Sequence, residues 1–251
     1  MTRCSNQSAC VKESRTTVRE IGRGELRAPA LVLDIDIAKS YGEQTIDAER
    51  FATAWCLVRD DGVAVATRFL DVESDASIAY ADLCDRFAVS RLPQRVDASR
   101  ADDAPLTVVI CTRDRTERLI ATLSSLARQS DANFDVLIVD NSADGNVART
   151  LDHFEGLLIQ CCHEPTPGLS RARNRALSEV RTELVAWIDD DEVADREWVA
   201  WIRRGFAMPD RPDVVAGVML PSELETNAQV DFERYGGCNK VRGMEPIPLR
   251  A

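Results

Sequence analysis

The chain has 251 residues, 45% of them hydrophobic, and a formal net charge of -11. That length suffices for one large α/β domain, or for a domain of about 150 residues with an appended module. The negative charge argues against general affinity for nucleic acid or an anionic membrane, both of which reward a basic surface, and points to a small-molecule partner.

Residues 1–27 are polar and show no sustained periodicity, so they read as a flexible N-terminal tail. They lack the apolar stretch of a secretory signal, and no run in the chain approaches the ~20 apolar residues of a membrane span. The expectation is a cytoplasmic protein with no transmembrane segment. The segment GRGELR is not a dinucleotide fingerprint, because Arg27 stands where the third glycine is needed and no strand precedes it.

Residues 28–89 read as a small α+β module. The run ALVLDIDIA, residues 30–38, predicts a strand. Phe51 to Arg59 and Val63 to Val72 flank Asp60-Asp61-Gly62, a strong hairpin signal. A helix is expected over Ala76 to Val89, where Ile78, Ala81, Leu83 and Phe87 recur at helical spacing. Asp34 and Asp36 form a carboxylate pair that resembles the nucleophile motif of haloacid dehalogenase-like phosphatases, although Ile37, Ala38 and Lys39 depart from that family's continuation. Residues 90–104, SRLPQRVDASRADDA, mix proline, charge and small residues without periodicity and read as a linker.

From Pro105 onward, apolar runs and helical patterns alternate. LTVVIC is followed by a helix from Thr116 to Gln129, FDVLIVD by a short helix from Ala143 to His153, and LLIQCC by a helix from Leu169 to Val180. The strand LVAWI, a helix from Asp195 to Phe206 and a strand VVAGVML complete the series. Such alternation specifies an α/β fold over residues 105–251, a mainly parallel sheet with helices on both faces. In open sheets of this kind ligands bind beyond the carboxyl ends of the strands. The eight cysteines show no paired C-x-x-C spacing, so zinc is not expected and reduced core thiols are.

The second domain is organised around ELVAWIDDDE, residues 183–192, which reads as a buried central strand running into a carboxylate cluster. In an extended chain Asp189 and Asp191 point the same way. Two like charges ~4 Å apart repel by about 1 kcal/mol even in water, so a divalent cation, Mg2+ or Mn2+, would relieve them. The plainer alternative is a solvated acidic turn preceding the next helix. A calcium-binding EF-hand loop is not expected, because Ala194 occupies the position that needs glycine.

Other polar residues cluster at strand ends. The first strand ends in Cys111-Thr112-Arg113-Asp114-Arg115 and the second in Asp140-Asn141-Ser142. Asp140, Thr112 and Arg113 could contact a nucleoside or its phosphate, or Thr112 or Asp114 could merely cap the next helix and Asp140-Asn141 shape a turn. Pro167-Gly168-Leu169-Ser170-Arg171-Ala172-Arg173-Asn174-Arg175 opens a helix, with Arg171 and Arg175 four residues apart. A helix N-terminus attracts phosphate, while a solvated arginine face is the competing reading. All but three of the 31 basic residues are arginine, a side chain suited to phosphate.

Together VVICTRDR, VLIVDNSADG, PGLSRARNRAL and LVAWIDDDE resemble the family 2 glycosyltransferases of the glycosyltransferase-A fold, in order and spacing. The resemblance covers residues 105 to about 240. It implies that Thr112, Arg113 and Asp140 hold the nucleoside, with Arg115 a further donor-binding candidate, and that Arg171 and Asn174 lie near the diphosphate. Asp189, Asp190 and Asp191 would form the DXD site, Asp190 on the donor and Asp189 and Asp191 on the metal. The activity implied is metal-dependent, inverting transfer of a sugar from a nucleotide-diphosphate donor to an acceptor hydroxyl of a glycan, lipid or small molecule. The family's acceptor-side strand and Glu-Asp pair are not found before PIPLRA, and Glu223 and Glu225 do not match the base by position. The alternative expectation is therefore a nucleotide-sugar-binding fragment without turnover, incomplete at its C-terminal end.

Overall fold

The computed structural model describes residues 18–72, 77–88, 103–145, 147–151, 154, 156–209, 211–235 and 237. It divides into two compact units, one of residues 1–96 with 218–251 and one of residues 97–217.

In the first unit β1 (Val18–Ile21) is followed by one 3-10 turn, then β2 (Ala30–Asp36), β3 (Thr45–Asp47), β4 (Thr53–Asp60), β5 (Val63–Val72), β6 (Ser77–Ala79) and α1 (Tyr80–Ala88). The expected tail thus contains an ordered edge strand, β1, antiparallel to β5. The expected helix starts later than Ala76, because Ile78 is spent on pairing β6 with β3. The main sheet has the order β1-β5-β4-β2. The hairpin forms as read: β4 and β5 pair up to Asp60 and Val63, and Asp61 and Gly62 turn the chain with φ of 55° and 80°. Positive φ at both loop residues matches the right-handed twist of the strands, and Asp-Gly tolerates it.

The carboxylate pair of β2 serves this hairpin. Asp36 is buried and accepts backbone N–H groups from Ala38, Asp61 and Gly62 at 3.1, 3.0 and 2.8 Å, while Asp34 is held by Arg59 at 2.7 and 2.9 Å. One face of the sheet buries Leu33, Ile35, Cys56 and Val58 against Leu83 and Phe87 of α1. The other buries Trp55 and Leu57 with Leu224 and Val230. The last two belong to a segment assigned from sequence to the second domain. Instead, Ala30 N–H bonds to the Leu224 carbonyl at 2.8 Å, and a helix at Asn227–Tyr235 covers the Trp55 face.

The second unit contains β7 (Leu106–Thr112), α2 (Thr116–Leu126), β8 (Asp135–Asp140), α3 (Val147–Thr150), β9 (Ile159–His163), α4 (Leu169–Glu179), β10 (Leu184–Trp187) and α5 (Trp198–Phe206), and the helix in the first unit becomes α6. Its sheet is wholly parallel in the order β10-β7-β8-β9. Period-2 alternation sorts the apolar strands between two layers. Val108, Ile110, Val136 and Ile138 pack against Leu119, Leu123 and Leu126 of α2 and Val199 of α5. Val109, Leu137 and Val139 pack against Ala172 and Ala176 of α4, whose small side chains let the helix lie close to the sheet. This is the α/β architecture expected.

Two strand expectations differ. LVAWI lies at one edge of the four-stranded sheet, not in its centre, and Trp187 is 39% exposed. VVAGVML forms no strand, and Val214, Val218 and Met219 are exposed. An apolar run predicts a strand only when a neighbouring strand is there to pair with it. The linker falls largely outside the described residues, as do Cys4, Cys10 and Cys238, and the other five cysteines are free thiols. No helix among the described residues is long and apolar enough to cross a membrane.

Candidate functional site

A cleft of about 380 Å³ opens beyond the carboxyl ends of β7 and β10, lined by Thr112, Arg113, Arg115, Asn141, Gly168 and the three aspartates 189–191, among others. Its floor is set by one buried contact. Thr112, the last residue of β7, donates its hydroxyl to Asp190 Oδ2 at 2.7 Å, and both residues are buried. Thr112 therefore does not cap α2, whose N-cap Arg115 makes no side-chain capping bond. The chain turns into α2 through Asp114 at φ 56°, leaving Arg113 half exposed.

The strand β10 ends at Trp187 and residues 190 and 191 lie in a turn, so Asp189 and Asp191 do not sit as alternate residues of a strand. Asp189 and Glu192 close a turn: Glu192 N–H reaches the Asp189 carbonyl at 3.2 Å, and Asp189 N–H donates to Glu192 Oε2 at 2.9 Å. Arg115 Nη1 straddles Asp190 at 3.3 Å and Asp191 at 3.2 Å, and Arg118 on α2 adds a second contact to Asp191 at 3.1 Å. Asp189 faces Arg173 of α4 at 3.6 Å. Burial pushes the Glu192 carboxyl above the usual range, the N–H of Asp189 opposes this, and the charges of Asp189 and Asp191 add to it.

The third wall comes from β8 and α4. Asn141 donates to the carbonyls of Glu164 and Thr166 at 2.7 and 2.8 Å and accepts Gly168 N–H at 2.8 Å, so it fixes the loop that opens α4. Gly168 has φ 142°, a conformation open to glycine, and brings the first turn of α4 to the cleft. Asp140 is buried and turned the other way. It accepts Ser142 N–H and hydroxyl and Val147 N–H, at 2.9, 2.5 and 2.9 Å, and does not line the cleft. Burial pushes its carboxyl up, but those hydrogen bonds outweigh it and hold the group below the ordinary carboxylate range.

Of the residues singled out from sequence, Thr112, Arg113, Arg115, Asp189, Asp190 and Asp191 converge on the cleft, whereas Asp140, Arg171 and Asn174 are not in its lining. Arg171 and Asn174 are exposed on α4, and Arg175 pairs with Glu179 at 2.7 Å. Sequence reasoning passed over Arg118 and Arg173, and it offered Asn141 only as turn chemistry, the role it has here. Arg118 lies one helical turn from Arg115 and Arg173 stands within the quoted arginine run, but which arginine faces the aspartates depends on helix rotation. Glu225 is clamped by Arg50 at 2.6 and 2.7 Å and Glu223 is bonded to Gln229, both in the first unit.

Asp189 and Asp191 line the cleft with hard oxygen donors, each facing arginine, while Asp190 is engaged by Thr112 as well as Arg115. No group of three or more His, Cys, Asp or Glu among the described residues could hold a metal by itself. The donor set fits a cation that takes one or two carboxylates and completes its shell with phosphate and water, the habit of Mg2+ and its relatives.

The family model of glycosyl transferase family 2 matches residues 107–232, half the chain. The chain belongs to glycosyl transferase family 2. This family 2 chain is 26% identical over 144 residues to a glucosyl-dolichyl phosphate glucuronosyltransferase of Haloferax volcanii, covering 54% of the chain and 45% of the relative. It is 28% identical over 158 residues to the amylovoran biosynthesis glycosyltransferase AmsB of Erwinia amylovora, covering 58% and 48%. The chain thus spans about half the length of these curated relatives. Among solved structures it is similar to a mannosyltransferase from Pyrobaculum calidifontis in complex with GDP-Man and Mn2+, with TM-score 0.41 and 22% identity over 50% of this chain and 38% of that one. TarS 1-349 of S. aureus gives TM-score 0.37 and 23% identity over 41% and 32%.

Proposed function

We propose that this family 2 chain carries the donor site of a sugar transfer from a nucleotide-diphosphate sugar to an acceptor hydroxyl, assisted by a divalent cation at Asp189 and Asp191. What supports the reading is the convergence in one cleft of three aspartates, Arg113, Arg115 and the N-terminus of α4, beyond the ends of parallel strands. Each group has a role suited to its chemistry. Asp190, oriented by Thr112, accepts from a ribose hydroxyl. Arg113 and Arg115 contact the ribose or phosphate, and the open amides of α4 favour the diphosphate. By the family resemblance Arg171 and Asn174 are assigned to the diphosphate as well, and we add Arg173 because it already reaches Asp189. Asp140 acts by shaping the loop after β8. A bound cation would neutralise charge on the departing nucleoside diphosphate.

In the reaction, the acceptor oxygen forms a bond to the anomeric carbon on the face opposite the breaking bond to diphosphate, and its proton passes to a carboxylate. The configuration inverts. A carboxylate cluster facing a diphosphate repels it unless charge is compensated, so binding should depend on the cation as well as on the arginines. The test is calorimetric titration of UDP, GDP, CDP, ADP and TDP with Mn2+ and then with chelator. We expect at least one nucleotide to bind and its affinity to fall with chelator. Equal affinity in both conditions would remove the metal role, and no binding of any nucleotide with Mn2+ would remove the donor site. Product formed above the level of a variant with Asp189, Asp190 and Asp191 all changed to Ala separates transfer from binding alone.

A further inference from the structure

We propose that Thr122, Ser125 and Gln129 of the α2 segment are positioning residues for the three aspartates, holding them through the backbone of the loop that follows. This rests on the reading of the cleft as a donor site. The loop from Glu192 to Asp195 has no secondary structure of its own, so its polar backbone groups need partners from elsewhere. One stripe of α2 supplies them. Thr122 donates its hydroxyl to the Glu192 carbonyl at 2.7 Å, and Ser125 Oγ accepts Ala194 N–H at 2.9 Å. Gln129, just past the helix end, uses both ends of its amide: Nε2 donates to the Asp195 carbonyl at 2.7 Å and Oε1 accepts Val199 N–H at 2.9 Å.

Residues 122, 125 and 129 are spaced three and four apart and share one face, and Arg118, one turn earlier, continues the stripe to Asp191. Thr122 and Ser125 are fully buried, at 0% and 1% exposure. A buried hydroxyl in a helix commonly satisfies itself on its own helix, and both do so in part: Thr122 reaches the Arg118 carbonyl at 3.4 Å and Ser125 the Thr122 carbonyl at 2.6 Å. The Thr122 bond to Glu192 is much the shorter of its two, so its orientation is set by the loop. Glu192 in turn closes the turn with Asp189, so a change at Thr122 is relayed to the aspartates through two contacts. A helix made to bury an apolar face alone would place Leu or Ala at these positions. The polar stripe costs core packing and gains a defined path for the acidic turn.

The test uses Thr122→Val, which keeps shape and removes the hydroxyl, and Thr122→Ser, which keeps the hydroxyl. Hydrogen exchange is followed at the amides of Asp189 and Glu192, whose own hydrogen bonds the substitution does not touch, and affinity for the tightest-binding nucleoside diphosphate is measured with Mn2+. The valine variant should exchange at these amides roughly five- to tenfold faster, the scale of one net hydrogen bond, with β7 and β8 unchanged. Nucleotide affinity should fall by a similar factor, and the serine variant should match wild type in both. Uniformly faster exchange across the sheet, or unchanged exchange at Asp189 and Glu192, would overturn positioning in favour of a purely stabilising role. If wild type binds no nucleotide the donor reading fails, and the exchange data alone still decide whether Thr122 orders the acidic turn.

Discussion

Replacing Thr112 by valine isolates the contact on which the floor of the cleft depends. The hydroxyl lies 2.7 Å from Asp190 Oδ2 with both residues buried, so it is a charge-assisted hydrogen bond, worth about 1.5–3 kcal/mol. Valine puts a buried methyl in its place, which offsets up to about 1 kcal/mol. Arg115 still reaches the other oxygen at 3.3 Å, so the carboxylate is not wholly orphaned. The net loss expected is roughly 1–2 kcal/mol, or about 2–8 °C in melting temperature. Urea unfolding followed by tryptophan fluorescence suits the case, because Trp187, Trp198 and Trp201 lie in the second unit and only Trp55 in the first. A lower midpoint at constant slope would register the loss, with Thr112→Ser within about 0.5 kcal/mol of wild type. A valine variant as stable as wild type would refute the assignment of Thr112 as the residue that anchors Asp190.

Two further predictions concern groups away from the cleft lining. Arg203 is 2% exposed, pairs with Asp131 at 2.9 Å and donates to the carbonyls of Ala104 and Asn133 at 2.7 and 2.5 Å; Arg203→Met should therefore cost about 2–4 kcal/mol in urea unfolding, and a loss under 1 kcal/mol would contradict the contacts. The Asp140 carboxyl is held below its ordinary range when folded, so its stabilising contribution is complete above the unfolded value near pH 4 and is lost as pH falls through the lower folded value. Asp140→Asn should flatten the acid limb of stability between about pH 5 and pH 2.5, and parallel limbs for variant and wild type would sink the idea.

Much of the fold was legible in the chain itself. LTVVIC and FDVLIVD became adjacent parallel strands because continuous apolar runs suit strands buried on both faces, and the alternating helices could cover them only in layers. Asp61-Gly62 turned the hairpin because its residues tolerate positive φ, a local property independent of what surrounds them. The strand-end motifs likewise reached one cleft, since parallel strands place all their carboxyl ends on the same side. What only the tertiary structure decided was which of several equivalent neighbours faces the site. Asp140 turned into its loop, Arg173 rather than Arg171 met Asp189, and Arg115 found partners some 75 residues away. The run VVAGVML stayed irregular and residues 218–235 joined the first unit, where Leu224 and Val230 cover Trp55. Local sequence sets the tendency of a segment to extend or coil, but the direction of a side chain and the choice of a pairing partner depend on surfaces brought together from distant parts of the chain, and no short window contains them.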